Sequence, residues 1–165
     1  MARIELREIR TDADWDAVMG LRLGPGQDEH LNSMQEIFEE ADPEQRAMPH
    51  AWAAHDADSG ALIGFAMISD NIPQPMDDDL VGPYFLWKLL IDEPYQRHGY
   101  GAATIDAVVE YLRIRPGADV LYTSRADGPG SPRPFYLRCG FTDTGRVMSG
   151  ENVLALDLTS HPYSG

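Results

Sequence analysis

Apolar and polar positions divide the chain into short segments that have the periods of strands and helices. Apolar residues at 4, 6 and 9 come close to the period of two that turns one face of a strand toward a core, so a first strand is expected over 4–10. The nearly continuous apolar run of 84–91 is typical of a strand covered on both faces and predicts the central strand. Shorter runs predict further strands over 51–55, 62–68, 120–124, 141–147 and 153–158.

Four segments place apolar residues at helical spacing, namely 11–23, 31–41, 102–112 and 131–139. Thr11 is a suitable N-cap for the first helix, which Gly24 and the two residues after it would end. Ser131 followed by Pro132 suits the start of the last helix. Proline has no backbone N–H, and in the first turn of a helix that group would have no partner within the helix. The predicted order is βααβββαβαββ, which is that of a mixed α/β domain.

Length and composition favour one domain over 1–165, since 165 residues with 43% apolar side chains can bury one core but not two ordinary ones. The single cysteine, Cys139, cannot form an internal disulfide, and no apolar run reaches the roughly 18 residues that span a bilayer. Residues 1–5 lack the apolar stretch of a signal peptide. We therefore expect a cytoplasmic protein that does not enter membranes.

The chain is strongly acidic, with 13 Lys+Arg, 27 Asp+Glu and a formal net charge of −14. Such a charge repels phosphate backbones and anionic lipids, so neither nucleic acid nor a membrane surface is an expected partner. The negative charge is concentrated in residues 1–84, which hold 5 Lys+Arg and 18 Asp+Glu. Residues 85–146 hold 8 Lys+Arg and 7 Asp+Glu and are therefore nearly neutral. This asymmetry fits either a solvated face that aids solubility or a surface that attracts cations.

The segment 96–102, Gln-Arg-His-Gly-Tyr-Gly-Ala, follows the central strand and leads into the third predicted helix. A glycine-containing turn before a helix can hold an anionic phosphate, because the first amides of a helix have no partners and its dipole is positive there. Gly99 and Gly101 would let the backbone approach such a ligand. The pattern lacks the Gly-Lys-Ser/Thr of a P-loop, and Thr104 stands where a dinucleotide fingerprint needs a third glycine.

Two motifs resemble the GNAT superfamily of acetyl-CoA-dependent N-acetyltransferases. Gln96, Gly99 and Gly101 match its Gln/Arg-x-x-Gly-x-Gly/Ala motif, and the strand before them ends at Ile91, as the splayed fourth strand of that family does. Residues 135–141 match its aromatic-Tyr-x-x-x-Gly-Phe segment. The resemblance implies an α/β fold with a twisted, mostly antiparallel mixed sheet of about seven strands and about four helices.

The resemblance also implies a site for acetyl-CoA that contains no metal. Backbone groups of the central strand would pair with the pantetheine arm, amides of the glycine turn would hold the pyrophosphate, and Tyr136 would be the general acid that protonates the departing thiolate. Pro129 replaces a common family asparagine, so Ser131 either takes over that contact or only caps the helix. The cofactor residues implied are Leu89, Leu90, Ile91, Gln96, Arg97, His98, Gly99, Tyr100, Gly101, Ala102 and Ser131.

No residue is identified as the general base. A carboxylate or a water chain must take a proton from the acceptor amine, and the candidates in the chain are Glu29, Asp70, Asp77 to Asp79 and Asp92, with His30, His50 and His55 in the same half. Cys139 fits a buried, unreactive position better than a nucleophile, which favours direct attack of the amine on the thioester.

The acceptor expected from these features is a small cationic amine such as a polyamine. The run 84–91 with Tyr95 and Gln96 is similar to the same strand of bacterial spermine/spermidine acetyltransferases, and the acidic first half would attract a cation. Homodimers are common in the superfamily, so two chains could pair. The alternative is a GNAT domain that binds a CoA species without turnover, as a sensor or an interaction module.

Overall fold

The computed structural model describes residues 2–21, 48–74, 81–125, 131–148 and 150–159. Its helices are α1 (Asp12–Met19), α2 (Tyr100–Leu112) and α3 (Arg133–Arg138), and a short 3-10 helix covers Glu93–Tyr95. Its strands are β1 (Ile4–Glu8), β2 (Pro49–Asp56), β3 (Leu62–Ser69), β4 (Phe85–Ile91), β5 (Val120–Arg125), β6 (Thr142–Met148) and β7 (Glu151–Asp157). The described part contains no helix that is long and apolar enough to cross a membrane.

The seven strands form one mixed sheet in the order β1-β2-β3-β4-β5-β7-β6. Only β4 and β5 run parallel, and each of the other neighbouring pairs is antiparallel. The predicted fold class is therefore confirmed, and β4 is the central strand, as its continuous apolar run indicated. The second predicted helix, 31–41, lies outside the described residues.

Helix α1 begins as the sequence predicted but ends sooner. The Thr11 side chain accepts a hydrogen bond from the amide of Asp14, and the Asp14 side chain accepts one from the amide of Thr11, which is a complete capping box. The predicted end at Leu23 is wrong, because the helix stops at Met19 and Gly20 is its C-cap. Glycine is a weak helix former, and the Gly20 amide bonds to Ala17 in a tightened last turn.

The sheet opens between β4 and β5. These strands pair only at Phe85 with Tyr122 and at Leu86 with Thr123, and the Thr123 hydroxyl donates to the Leu86 carbonyl at 2.9 Å. Beyond Leu86 no further pair with β5 occurs within the described residues, although β4 continues to pair with β3 as far as Ile91. The second half of β4 thus keeps one edge that is not used in the sheet.

Apolar side chains cover both faces of the sheet. One face packs against α2 and α3 in a core that includes Trp52, Leu86, Val108 and Tyr136. The other face packs against α1, with Val18 among the buried side chains. The two layers hold β4 in place along its length, so the opening beside it belongs to a rigid part of the fold.

Candidate active site

A cavity of about 540 Å³ lies beside the second half of β4, next to the start of α2 and to α3. Nine of its lining residues were predicted as site residues, namely Leu89, Leu90, Ile91, Gln96, Arg97, Gly99, Gly101, Ala102 and Tyr136. Four others were not, namely Tyr95, Pro132, Phe135 and Arg138. Two motifs that lie far apart in the sequence therefore meet in one concave site, which is the usual form of a small-molecule site.

Three predicted site residues are not in the lining of this cavity. His98 and Tyr100 line a neighbouring cavity with Asp56 and Asp58. The Ser131 hydroxyl accepts a hydrogen bond from the amide of Arg133 at 3.2 Å, but the N-cap of α3 is Pro132 and not Ser131 as expected. Pro129 lies outside the described residues.

The turn after β4 is held to the strand by Gln96. Its side-chain amide donates to the carbonyl of Ile91 at 2.9 Å, which satisfies the last carbonyl of the strand. Arg97 and Gly99 both have left-handed backbones, with φ of 67° and 84°. Glycine adopts this conformation without strain, and Gly99 is the N-cap of α2.

Helix α2 begins at Tyr100 and not at Ala102 as predicted, so its first turn points into the site region. The first helical bond runs from the amide of Ala103 to the carbonyl of Gly99 at 3.0 Å. The amides of Tyr100, Gly101 and Ala102 therefore have no acceptor within the helix. Together with the helix dipole they favour a negatively charged ligand.

Gly101 allows α3 to lie close against α2. A β-carbon at this position would be 3.1 Å from Cζ and 3.2 Å from Cε1 of Phe135. Gly101 therefore has a packing role, whether or not a ligand also approaches its backbone. The ring of Phe135 occupies the space that a side chain at position 101 would need.

Tyr136 is almost completely buried, with 2% of its surface exposed, and its hydroxyl accepts a hydrogen bond from Nη2 of Arg125 at 2.7 Å. The guanidinium carbon lies 4.7 Å from the centre of the Tyr136 ring. Burial raises the pKa of the Tyr136 hydroxyl, and the charge and hydrogen bond of Arg125 oppose this rise. Tyr136 is therefore protonated at neutral pH and can serve as a proton donor.

Sequence reasoning did not identify Arg125, since nothing in the local pattern connects the end of a strand to a tyrosine 11 residues later. The position carried one weak signal. A charged residue directly follows the apolar strand 120–124, at the strand end where sheets of this class present functional side chains.

Lys88 is a second cation that sequence reasoning did not assign to the site. Burial lowers the pKa of its ammonium, the charge of Arg125 lowers it further, and Glu151 raises it. Glu151 accepts a hydrogen bond from the Ser124 hydroxyl at 2.8 Å. Lys88 on β4 thus interacts with a cation on β5 and with a carboxylate on β7.

Asp70, a candidate base, belongs to a polar network at the other end of β4. His50 Nδ1 lies 3.0 Å from Oδ2 of Asp70, and Arg115 Nε donates to Oδ1 at 3.0 Å. The Tyr111 hydroxyl also donates to Asp70, and His50 Nε2 lies 3.2 Å from Glu8. Burial raises the pKa of Asp70, but the hydrogen bonds from His50, Tyr111 and Arg115 outweigh it and hold the pKa below its usual value.

The other candidate bases and the cysteine lie in different parts of the fold. Asp92 is buried directly after β4, and His55 Nδ1 lies 3.0 Å from the carbonyl of Gly60 in the turn that joins β2 to β3. Cys139 is half-buried at the end of α3, and burial raises the pKa of its thiol, which makes it a poor nucleophile. Glu29, His30 and Asp77 to Asp79 lie outside the described residues.

Known proteins resemble this chain in both sequence and fold. A sequence model of the acetyltransferase (GNAT) family matches residues 15–141. The spermine/spermidine N(1)-acetyltransferase of Bacillus subtilis is 26% identical over 149 residues, which are 90% of this chain and 95% of that protein.

Solved structures share the fold at lower identity. A chimera of the spermidine N-acetyltransferase SpeG from Vibrio cholerae and hSSAT has a TM-score of 0.65 at 15% identity, with 97% of this chain and 98% of that chain covered. The structure of AtaTR bound with AcCoA has a TM-score of 0.63 at 17% identity, with 96% of this chain and 95% of that chain covered.

The family match includes both of the motifs that meet in the cavity, at 96–102 and at 135–141. The similarity to spermine/spermidine acetyltransferases that the central strand indicated is also confirmed. This protein therefore belongs to the GNAT family, which uses acetyl-CoA, and it is an N-acetyltransferase.

Proposed function

We propose that this protein transfers the acetyl group of acetyl-CoA to a primary amine of a small cationic acceptor such as a polyamine. The observation that carries the proposal is the cavity beside β4, because it joins an unused strand edge, the start of α2 and the hydroxyl-bearing Tyr136. The acceptor class is inferred from the charge of the chain and from a 26% identical relative.

The described residues fit acetyl-CoA along the length of the cavity. The edge of β4 at Leu89 to Ile91 offers backbone groups to the amides of a pantetheine arm, as an added strand would use them. The amides that begin α2 suit a pyrophosphate, and Arg97 and Arg138 add positive charge to the same lining. Phe135 supplies apolar surface between these two regions.

The chemistry is a direct transfer in one site. Bound acetyl-CoA supplies a thioester carbon that an amine can attack. The protonated Tyr136 hydroxyl gives its proton to the departing sulfur, and the buried ring keeps that hydroxyl in one position. Tyr136 is the residue to which we assign general acid catalysis.

Aromatic side chains on the α1 face of the sheet suit the methylene chain of a polyamine. Phe85 and Trp87 stack edge to face with their centres 5.0 Å apart, and Trp87 donates from Nε1 to Ser69 at 2.7 Å. Tyr122 and Met148 pack against the same small core. The partly exposed members of this cluster, Trp87, Tyr122 and Met148, can contact an aliphatic chain while negative charge elsewhere attracts its ammonium groups.

A panel of amines tests the proposal. Release of free thiol from acetyl-CoA is measured with spermidine, spermine, aminoglycosides and lysine peptides, each at several concentrations. We expect spermidine or spermine to give the highest kcat/KM. A higher value for an aminoglycoside or a peptide would show that the acceptor class is wrong, and release no faster than background with every amine would contradict transfer to amines altogether.

A further inference from the structure

Arg125 and Tyr136 form a close pair, and Tyr136 lines the cavity. Arg125 ends β5, Tyr136 lies in the middle of α3, and the guanidinium both donates to the hydroxyl and lies over the ring. We propose that Arg125 is a positioning residue for the transfer, which directs the Tyr136 proton into the cavity and stabilises the oxygen after the proton has left. The inference rests on the role assigned to Tyr136 under the proposed function.

The direction of the proton follows from the chemistry of the pair. A guanidinium has donors but no acceptor, so the Tyr136 oxygen must accept the bond from Arg125. The hydroxyl proton therefore points away from Arg125. No acceptor for it is found among the residues that the structure describes, and Tyr136 lines the cavity. The proton is thus free to be donated to a bound ligand.

The charge of Arg125 acts on the same step. When Tyr136 gives up its proton, a phenolate forms at a buried position, and burial disfavours that charge. Arg125 offsets this effect through a hydrogen bond to a charged group, which is stronger than one between neutral groups. Removal of Arg125 would leave the buried phenolate without its cationic partner.

Other charged or titratable groups lie around this pair. Cys139, the C-cap of α3, raises the pKa of Tyr136 through an electrostatic interaction. Lys88 on β4 interacts with Arg125 and with Glu151 on β7, and Glu151 is bonded to Ser124. Arg125 is the only cation among the described residues that forms a hydrogen bond with the Tyr136 hydroxyl.

The proton balance of the step starts from the neutral amine, which forms when a carboxylate or a water chain takes the extra proton of the acceptor ammonium. The amine nitrogen forms a bond to the thioester carbon, the C–S bond breaks, and its electron pair remains on sulfur. Sulfur takes the Tyr136 proton. The acylated nitrogen loses one proton, which returns the phenolate to the hydroxyl form directly or through water.

The first test is the substitution Arg125→Met, with the fastest amine of the panel as acceptor. We expect kcat to fall about 10- to 100-fold, the effect of one lost hydrogen bond to a charged group, while KM for acetyl-CoA changes little. Arg125→Lys should recover part of kcat, since it keeps the charge. Arg146→Met removes the same charge from an exposed position on β6 and should leave kcat unchanged.

The second test asks whether Arg125 acts through Tyr136. Tyr136→Phe removes the hydroxyl, so Arg125→Met should cause no additional loss of kcat in that background. The alkaline limb of the kcat profile, where Tyr136 loses its proton, should move to higher pH in Arg125→Met, because the arginine holds that pKa down. A purely structural role of Arg125 would instead lower kcat in both backgrounds.

The outcomes separate this inference from the proposed function. If Tyr136→Phe lowers kcat and Arg125→Met does not, the role of Arg125 is wrong and the acid role of Tyr136 stands. An equal loss from Arg125→Met in the wild-type and Tyr136→Phe backgrounds overturns the inference as well. If Tyr136→Phe turns over at the wild-type rate, the acid role itself is wrong, and the role of Arg125 fails with it.

Discussion

The two ends of β4 differ in how their polar groups find partners. Near Phe85, where β4 begins, the polar network around Asp70 bonds its side chains to one another. Near Ile91, where β4 ends, one strand edge pairs with nothing in the described part of the sheet, and the first amides of α2 have no helical acceptor. Both regions are polar, and the second of them borders the cavity.

This contrast separates polar groups that stabilise the fold from those available for function. In the polar network each carboxylate oxygen of Asp70 has a donor, so the network favours the folded state and offers little to a ligand. In the cavity, the edge of β4 beyond Leu86 and the proton of the Tyr136 hydroxyl have no partner among the described residues, which is the condition for binding and proton donation. Substitutions in the two regions should therefore affect different properties.

The largest effect is expected for Gly101→Leu in the cavity. The new side chain would meet the ring of Phe135, because a β-carbon alone already comes within 3.1 Å of it. Overpacking of about 1–3 kcal/mol corresponds to roughly a 5- to 150-fold loss of acetyl-CoA affinity, measurable by calorimetry. Gly101→Ala should lose less, and unchanged affinity in the leucine variant would remove the turn from the cofactor site.

The next effect is expected for Asp70→Asn in the polar network. The carboxylate is 11% exposed, and its loss removes a charged partner from both His50 and Arg115. We expect the free energy of unfolding to fall by about 1–3 kcal/mol, while the affinity for acetyl-CoA is retained. Asp58→Asn is a matched control, since the Asp58 pair with Arg3 is largely exposed and should contribute little.

The same carboxylate predicts a dependence of stability on pH. The pKa of Asp70 is lower in the folded protein than its usual value near 3.8, so its contribution is present above that value and is lost as pH falls through the lower folded pKa. As pH falls, the wild type should lose a contribution to its free energy of unfolding that Asp70→Asn already lacks. Plots of the free energy of unfolding against pH for the two proteins should therefore converge below about pH 4. A constant difference between them would contradict this assignment of Asp70.

The smallest effect concerns the approach of the acceptor. The first half of the chain, residues 1–84, carries most of the negative charge, and the half with the cavity is close to neutral. Added salt should raise the apparent KM for spermidine by about threefold, through screening, with no such rise for acetyl-CoA. A KM for spermidine that does not depend on salt would mean that the acidic residues serve solubility alone.

Local patterns predicted the strands and their order along the chain, and the resemblance to the GNAT superfamily predicted most of the residues that line the cavity. The continuous apolar run before Ile91 and the glycines at 99 and 101 each indicated their element without knowledge of distant contacts. The predicted end of α1 was wrong. The apolar pattern continues to Leu23, but the helix ends before the C-cap Gly20. Propensity and periodicity extend over a few residues, and the features that they predict are equally local.

Partners that are distant in the sequence were not predictable in this way. The opening between β4 and β5 depends on how far two strands pair, and the contact of Arg125 with Tyr136 depends on the placement of α3 over the sheet. The network around Asp70 joins residues from two strands, a loop and a helix. Short-range patterns in the sequence thus specify the helices and strands and the motif that contains Tyr136, the proposed general acid. Sheet register and helix packing determine which polar groups find hydrogen-bond partners within the fold and which are available to a ligand.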